Sequence, residues 1–439
     1  MRDGGRIAAA AEVLDNIAGR HRPAAEALKD WGVSHRFAGS GDRAAIGNLV
    51  FDALRRKASL SWIMNKDTGH ALALAAYACL WGNDLDHIEV TLASDRHSTG
   101  PLKDAEKTAI RRGLSDEALA DAPAHVRGDY PEWLDAAFTD AFGDERIEEG
   151  AALAARASVD LRVNTLKTDR TKAQKALSRF SAQATQWSPM GLRIAAGEGP
   201  QRAPNIQADA AYQRGRVEVQ DEASQIAAIL ALDPAHRQIG DLCAGGGGKT
   251  LALAALAANK GQIYAYDADA NRLAPIHARL QRAGVRNTQV LPSTPEALEG
   301  IAGKLDLAFV DAPCTGTGVW RRRPDAKWRL SEKALEDRLS EQVAVLDMAA
   351  ATVKPGGTLV YATCSILPAE NNAQVKAFLG RHPDFTLTDI RELVPSRLGA
   401  DVGAGLLEAA ITSAEGLTLT PRRTATDGFF VGAMQRKPA

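Results

Sequence analysis

The chain has 439 residues, 45% of them apolar and 24% charged, with a formal net charge of −1. Such a composition excludes a disordered or low-complexity polymer and leaves room for two or three domains with their own cores. The four cysteines, Cys79, Cys243, Cys314 and Cys364, contain no C-x-x-C pair, which argues against a zinc framework or a disulfide scaffold and gives no reason to expect a metal.

The N-terminus, "MRDGGRIAAAAEVL", has charges breaking up its apolar run, so no secretory signal is expected. The most apolar stretch, "ALALAAYACLW" at 71–81, is shorter than the ~20 residues a membrane span needs, and a soluble cytoplasmic protein is the expectation. Residues 1–130 alternate Ala/Leu-rich helical patterns with polar breaks. Within 41–64 the apolar spacing at Ile46, Val50, Leu54 and Leu60 predicts a helix, and the whole region predicts an all-helical domain. Residues 122–143 carry two prolines and a glycine before an amphipathic stretch and suit a boundary plus linker helix. The alternating "DLRVNTLK" (160–167), with "GLRIAAGEG" and "GRVEVQDEAS", predicts a small α+β unit over 131–218.

A third domain is expected over 219–437. From about residue 236 the order becomes strand, glycine loop, helix, strand, repeated. "QIGDLC", "QIYAYD", "LDLAFVD" and "GGTLVYATC" are near-continuous apolar runs, the pattern of buried parallel strands. Gly261 is placed to end the helix that starts at "KTLALAALA", and Asp269 to cap a helix running to Gly284 through Pro275. This order predicts a doubly wound α/β sheet with its ligands at the carboxyl ends of the strands.

The motifs fall at those ends. "DLCAGGGGKT" (241–250) approaches a phosphate-binding P-loop, but the position that motif requires as its first glycine is Cys243. A nucleoside cofactor without a triphosphate fits better, held by Cys243, Ala244, Gly245, Gly246, Gly247, Gly248 and Lys249, with Asp267 at the next strand end to accept ribose hydroxyls. A P-loop-like NTPase is the competing reading. Cys314 follows "LAFVDAP" and Cys364 ends "GTLVYATC", so both thiols can open onto one crevice. They could be small core residues. They could also serve covalent catalysis on a pyrimidine, in which a thiolate adds to carbon 6, an acid such as Asp311 protonates N3, carbon 5 accepts a methyl group and a second group assists release. Chemistry alone does not say which cysteine attacks.

"DLCAGGGGKT", "DAPCTGTGVWRRRPDAKWR" and "YATCSILPAENN", with "RVNTLK", "VQDEASQ" and "TDGFFVGAM" around them, resemble the signatures of the Sun-type RNA (cytosine-5) methyltransferases over roughly 130–435. The resemblance implies a Rossmann-like fold and S-adenosyl-L-methionine bound by 243–249 and Asp267, with Asp311 bordering cofactor and base. It implies Cys364 as nucleophile and Cys314 as the release group, the swapped assignment being the alternative. Where the family often has Ala-Pro the chain has Gly245 and Gly246, and where it often has an acid toward the adenine the chain offers Ser293.

For the substrate, Arg321, Arg322, Arg323 and Lys327 with interleaved tryptophans offer charge and stacking surfaces, and Arg162 and Asn164 match a family motif on the RNA-facing side. The helical region resembles the RNA-binding extension of the family's bacterial small-subunit ribosomal RNA members. Ribosomal RNA is therefore the expected partner and transfer RNA the second; no protein partner is indicated. A non-catalytic RNA-binding relative would not need both Cys314 and Cys364.

Overall fold

The computed structural model describes all of residues 1–439. The chain divides into two compact units, one of residues 1–157, 196–203 and 320–330, the other of 158–195, 204–319 and 331–439.

The first unit is helical, as its pattern predicts, but it runs past 130 to Ala157 and takes in two later segments. Its helices include Asp3–Arg20, Ala24–Ser34, Ser40–Arg55 and Lys57–Met64. The single helix expected over 41–64 is thus two, separated at Arg56. Ile46, Val50, Leu54 and Leu60 all lie in the core, which explains why the spacing was continuous across the break. The segment 320–330 belongs to this core. Trp320 is buried and stacks on Phe138 with centroids 6.1 Å apart, and Phe138 stacks on Tyr130 at 4.1 Å. The Trp328 indole donates to the Leu54 carbonyl at 2.6 Å. Lys327 is fully buried, its ammonium donating to the carbonyls of Arg55 (2.9 Å) and Asp129 (2.5 Å). Burial pushes this lysine down to about 7, with Asp129 opposing the fall.

The second unit holds thirteen strands: β1 Val159–Val163, β2 Gln183–Ala184, β3 Gly191–Ile194, β4 Val217–Val219, β5 Gln238–Asp241, β6 Gln262–Ala265, β7 Thr288–Val290, β8 Leu305–Asp311, β9 Val353–Thr363, β10 Phe385–Leu387, β11 Ile411–Thr412, β12 Leu417–Leu419 and β13 Phe429–Arg436. The first four form a small antiparallel sheet in the order β2-β3-β1-β4. Buried charges tie it to the following helix. Asp160 on β1 accepts from Arg193 at 2.7 and 2.6 Å and from the Glu222 N–H, and the Glu222 carboxylate accepts the Trp187 and Ser188 N–H groups at 2.7 Å each. The motif around "VQDEASQ" is therefore a structural joint.

The large sheet runs β11-β12-β13-β9-β8-β5-β6-β7, with β10 on β13. Its β9-β8-β5-β6-β7 portion is parallel, as the apolar runs predict. The strands from "TDGFFVGAM" onward differ: β13 pairs antiparallel with β9, Phe430 opposite Thr363 and Val431 opposite Ala362. The chain moves outward from β5 to β6 and β7, then returns to place β8 on the other side of β5, so the strand order reverses between β5 and β8. That reversal opens the crevice where ligands bind in such sheets. Pro275 breaks the expected helix into Ala270–Leu273 and Ile276–Ala283, because it supplies no N–H to the ladder. Asp269 caps the first piece and Gly284 ends the second at φ +75°. The helix after the glycine loop stops at Leu256, before Gly261.

Candidate active site

The glycine loop leaves β5 at Asp241 and enters the helix Gly248–Leu256, with Gly245 at φ +47° and Gly247 at φ +83°. A β-carbon on Gly247 would lie 2.5 Å from Ile276, so the loop needs bare backbone there on two counts. Asp267, just past β6, accepts the Gly245 N–H at 2.9 Å through one oxygen and the Asp269 N–H at 2.9 Å through the other. Each carboxylate oxygen keeps a second lone pair for a ligand. Arg279 donates to the Gly246 carbonyl at 2.6 Å and pairs with Glu218, pinning a loop of four consecutive glycines.

Three carboxylates surround this loop: Asp241, Asp267 and Asp311. Asp241 is completely buried, with one oxygen bonded to the Thr250 hydroxyl at 2.6 Å and the other without a partner. Burial, opposed by that bond and reinforced by Asp311, pushes its carboxyl up to about 7. Burial and the same three acids push the Cys243 thiol up. Lys249 is engaged with Asp311 at 3.0 Å and lies over the Phe429 ring at 4.8 Å. The position that a P-loop lysine would commit to phosphate is thus already taken. With Lys249 committed to Asp311, the acids around the loop disfavour a triphosphate and favour a ligand bearing positive charge, and the unpartnered Asp241 oxygen lacks a donor such as a cofactor amine. S-adenosylmethionine, a sulfonium with a ribose and an amino group, fits. Arg272, with a guanidinium nitrogen 4.0 Å from Asp267, completes the wall; no sequence motif distinguished it from an ordinary helix arginine. Ser293 sits three residues past the end of β7, one strand outward from Asp267.

Opposite the loop, β8 delivers Asp311 and then Cys314, and β9 delivers Cys364. The two sulfurs are 3.3 Å apart and both thiols are half-buried. Cys364 also packs against the core of the large sheet. The turns after the two cysteines interlock. The Gly318 N–H donates to the Cys364 carbonyl at 2.9 Å, and the Gly428 N–H donates to the Gly318 carbonyl at 2.9 Å. A β-carbon on Gly318 would lie 2.0 Å from the Gly428 oxygen, which accounts for the second glycine of "CTGTG". Thr317 and Ser365 share a hydroxyl bond at 2.9 Å, and Asn371 accepts from Thr363 at 2.6 Å and donates to the Ser365 carbonyl at 3.0 Å. Beneath them lies the buried Glu370. Glu370 and Asn371 both stand in "YATCSILPAENN", but nothing in their spacing marks them as partners of the cysteine loops.

The residues expected to face RNA are mostly elsewhere. Arg162 is buried with its Nε donating to Gln220 at 2.6 Å. Asn164 is buried and donates to the carbonyls of Gly215 and Ala283 at 2.8 Å each, tying β1 to β4 and to a helix end. Arg321 and Lys327 are buried in the helical unit. Arg162, Asn164 and Lys327 hold structure together, because each finds backbone or side-chain acceptors that an exposed strand or loop would not have offered. Arg322 is half-buried and Arg323 exposed.

A sheet of this order, with a glycine loop at its switch point and acids closing the neighbouring strands, suits a nucleoside cofactor such as S-adenosylmethionine. Residues 227–435 match the family described as 16S rRNA methyltransferase RsmB/F, and residues 130–198 match the ferredoxin-like domain of RsmF/B-like methyltransferases. The probable ribosomal RNA small subunit methyltransferase B of Synechocystis sp. is 33% identical over 313 residues, covering 70% of this chain and 67% of that protein. The ribosomal RNA small subunit methyltransferase B of Sodalis glossinidius is 31% identical over 417 residues, covering 90% and 89%. A solved methyltransferase homolog protein from Pyrococcus horikoshii matches with a TM-score of 0.56 at 25% identity, covering 74% of this chain and all of that one. The chain belongs to the RsmB/F family of RNA (cytosine-5) methyltransferases.

Proposed function

We propose that this protein methylates carbon 5 of a cytosine in small-subunit ribosomal RNA, in the cytoplasm, through a covalent bond between Cys364 and carbon 6. The observation that carries the reading is the pair of thiols 3.3 Å apart beside the glycine loop. The Cys364 thiolate forms the S–C6 bond, and the C5=C6 electrons shift toward N3, which takes a proton from Asp311 in its acid form, through the oxygen that Lys249 leaves free. Bound S-adenosylmethionine supplies an electrophilic methyl group. As carbon 5 takes the methyl, the N3 proton returns. A base then removes the carbon 5 proton, the C5=C6 bond re-forms and the S–C6 bond breaks, with Cys314 assisting the departure. The target base must be unpaired or flipped for a sulfur to reach carbon 6. No helix is long and apolar enough to cross a membrane, which fits this setting.

The test is transfer of labelled methyl from S-adenosylmethionine to small-subunit ribosomal RNA, with bisulfite mapping of the product. One protected cytosine in that RNA is the expected result. Label in transfer RNA alone would reassign the substrate, and no label in any RNA with intact cofactor binding would overturn the reading.

Two further outcomes follow. Asp267→Ala weakens S-adenosylmethionine binding by about 1–3 kcal/mol, since it strands the ribose hydroxyls and the Gly245 N–H together; titration calorimetry reads it, and unchanged affinity removes Asp267 from the site. Neutralising Arg322 and Arg323 flattens the salt dependence of RNA binding by roughly one unit of slope per lost phosphate contact, while an unaltered slope leaves them as ordinary surface.

A further inference from the structure

Glu370 bonds to both cysteine loops through its carboxylate. It ends the turn Pro368–Glu370 and is completely buried. One carboxylate oxygen accepts the Thr315 N–H at 2.8 Å and the Gln342 amide at 3.0 Å; the other accepts the Thr315 hydroxyl at 2.5 Å and the Ser365 hydroxyl. Thr315 follows Cys314 and Ser365 follows Cys364. Gln342 also donates to the Pro313 carbonyl at 3.0 Å, so the carboxylate and its amide partner hold the chain on both sides of Cys314. All four donors to this carboxylate are neutral. No cation among them offsets a charge on the carboxylate, and in a medium of low dielectric its neighbours feel such a charge.

We propose that Glu370 is a positioning residue that yokes the two cysteine loops and keeps their shared proton on Cys314, leaving Cys364 as the sulfur that enters as thiolate. The proposal deepens the functional reading above and rests on it. The carboxylate makes two bonds to Thr315, beside Cys314, and one to Ser365, beside Cys364. The groups around Cys314 agree. They are the Cys364 thiol at the end of β9, Glu370 itself, Tyr361 within β9, whose hydroxyl donates to the Glu370 carbonyl at 2.7 Å, and Asp311 on the same strand end. The bond to Cys364, burial and the Glu370 charge all raise the Cys314 thiol, with the Gly316 N–H opposing them. This supplies what the chemistry of two like thiols lacks, a physical reason for one to be acid and the other nucleophile.

The experiment follows Cys314 alkylation by iodoacetamide against pH, by peptide mass mapping, in Cys364→Ala protein with and without Glu370→Gln. Only the thiolate reacts. Glutamine keeps the shape and removes the charge, so the midpoint moves to lower pH and the rate at neutral pH rises roughly tenfold, the change for one unit. Glu370→Asp withdraws the carboxylate by one carbon and gives a smaller change in the same direction, which serves if the glutamine variant does not fold. In otherwise wild-type protein, Glu370→Gln lowers kcat about tenfold and leaves the KM for S-adenosylmethionine unchanged. Superimposed alkylation profiles, or an unchanged kcat, overturn the role of Glu370. Full turnover by Cys364→Ala alone would instead overturn the functional reading beneath it.

Discussion

Replacing Cys364 by alanine abolishes methyl transfer, by roughly 10⁴-fold or more, while S-adenosylmethionine still binds. The size follows from the role. Carbon 5 of cytosine is a poor nucleophile until a sulfur has added to carbon 6, so no slower version of the same step remains when that sulfur is gone. The substitution leaves the local fold nearly untouched. The Cys364 carbonyl still receives the Gly318 N–H, and the hydroxyl bonds of Thr363 and Ser365 do not pass through the thiol. Cofactor binding is expected to be insulated as well, because the residues proposed to hold the cofactor are on the glycine loop and at Asp267, just past β6. Labelled-methyl transfer together with calorimetry makes the measurement. An alanine variant that turns over within tenfold of wild type would remove Cys364 as the nucleophile. A variant that loses cofactor affinity in parallel would show damage to the fold rather than to the chemistry.

How much of this was legible in the sequence varies with the range of the interactions involved. The parallel strands β5, β6, β8 and β9 stood out because strands buried on both faces need uninterrupted apolar runs. Glycine loop, Asp267, Asp311, Cys314 and Cys364 could be placed because sheets of this class bring strand ends to one crevice. The antiparallel partnership of β13 with β9 was not legible, since register is decided by pairing between segments some 70 residues apart. The basic run after Trp320 misled for a related reason. A lysine's exposure is not written in its identity: Lys327 is buried because Arg55 and Asp129, about 200 or more residues earlier, present carbonyls to its ammonium. Its aliphatic stem and the faces of Trp320 and Trp328 complete the burial. Glu370 escaped in the same way. Alone it is one more acid after a proline. Its meaning lies in Thr315 and Gln342, which sequence distance separates and folding brings together.

Replacing Cys314 by alanine arrests the reaction one step later and traps the protein on its RNA. With Cys364 intact, addition to carbon 6 and methyl transfer go forward, so one equivalent of methyl per enzyme molecule passes to RNA in a burst. Steady turnover then falls by roughly 10²-fold or more, because elimination lacks its assisting group. The product is a protein–RNA adduct that survives denaturing gels, and prior alkylation of Cys364 prevents it. The 3.3 Å between the sulfurs makes this division of labour feasible, since the second thiol needs no rearrangement to reach the bond that must break. The same gels decide the alternative. If the adduct forms with Cys364→Ala and not with Cys314→Ala, the sulfur on the β8 side is the nucleophile, and the proton that Glu370 is argued to hold on Cys314 would sit on the wrong atom. If neither variant accumulates adduct while both lose turnover, the second thiol acts before the methyl is transferred, and its task is to ready Cys364 rather than to free it.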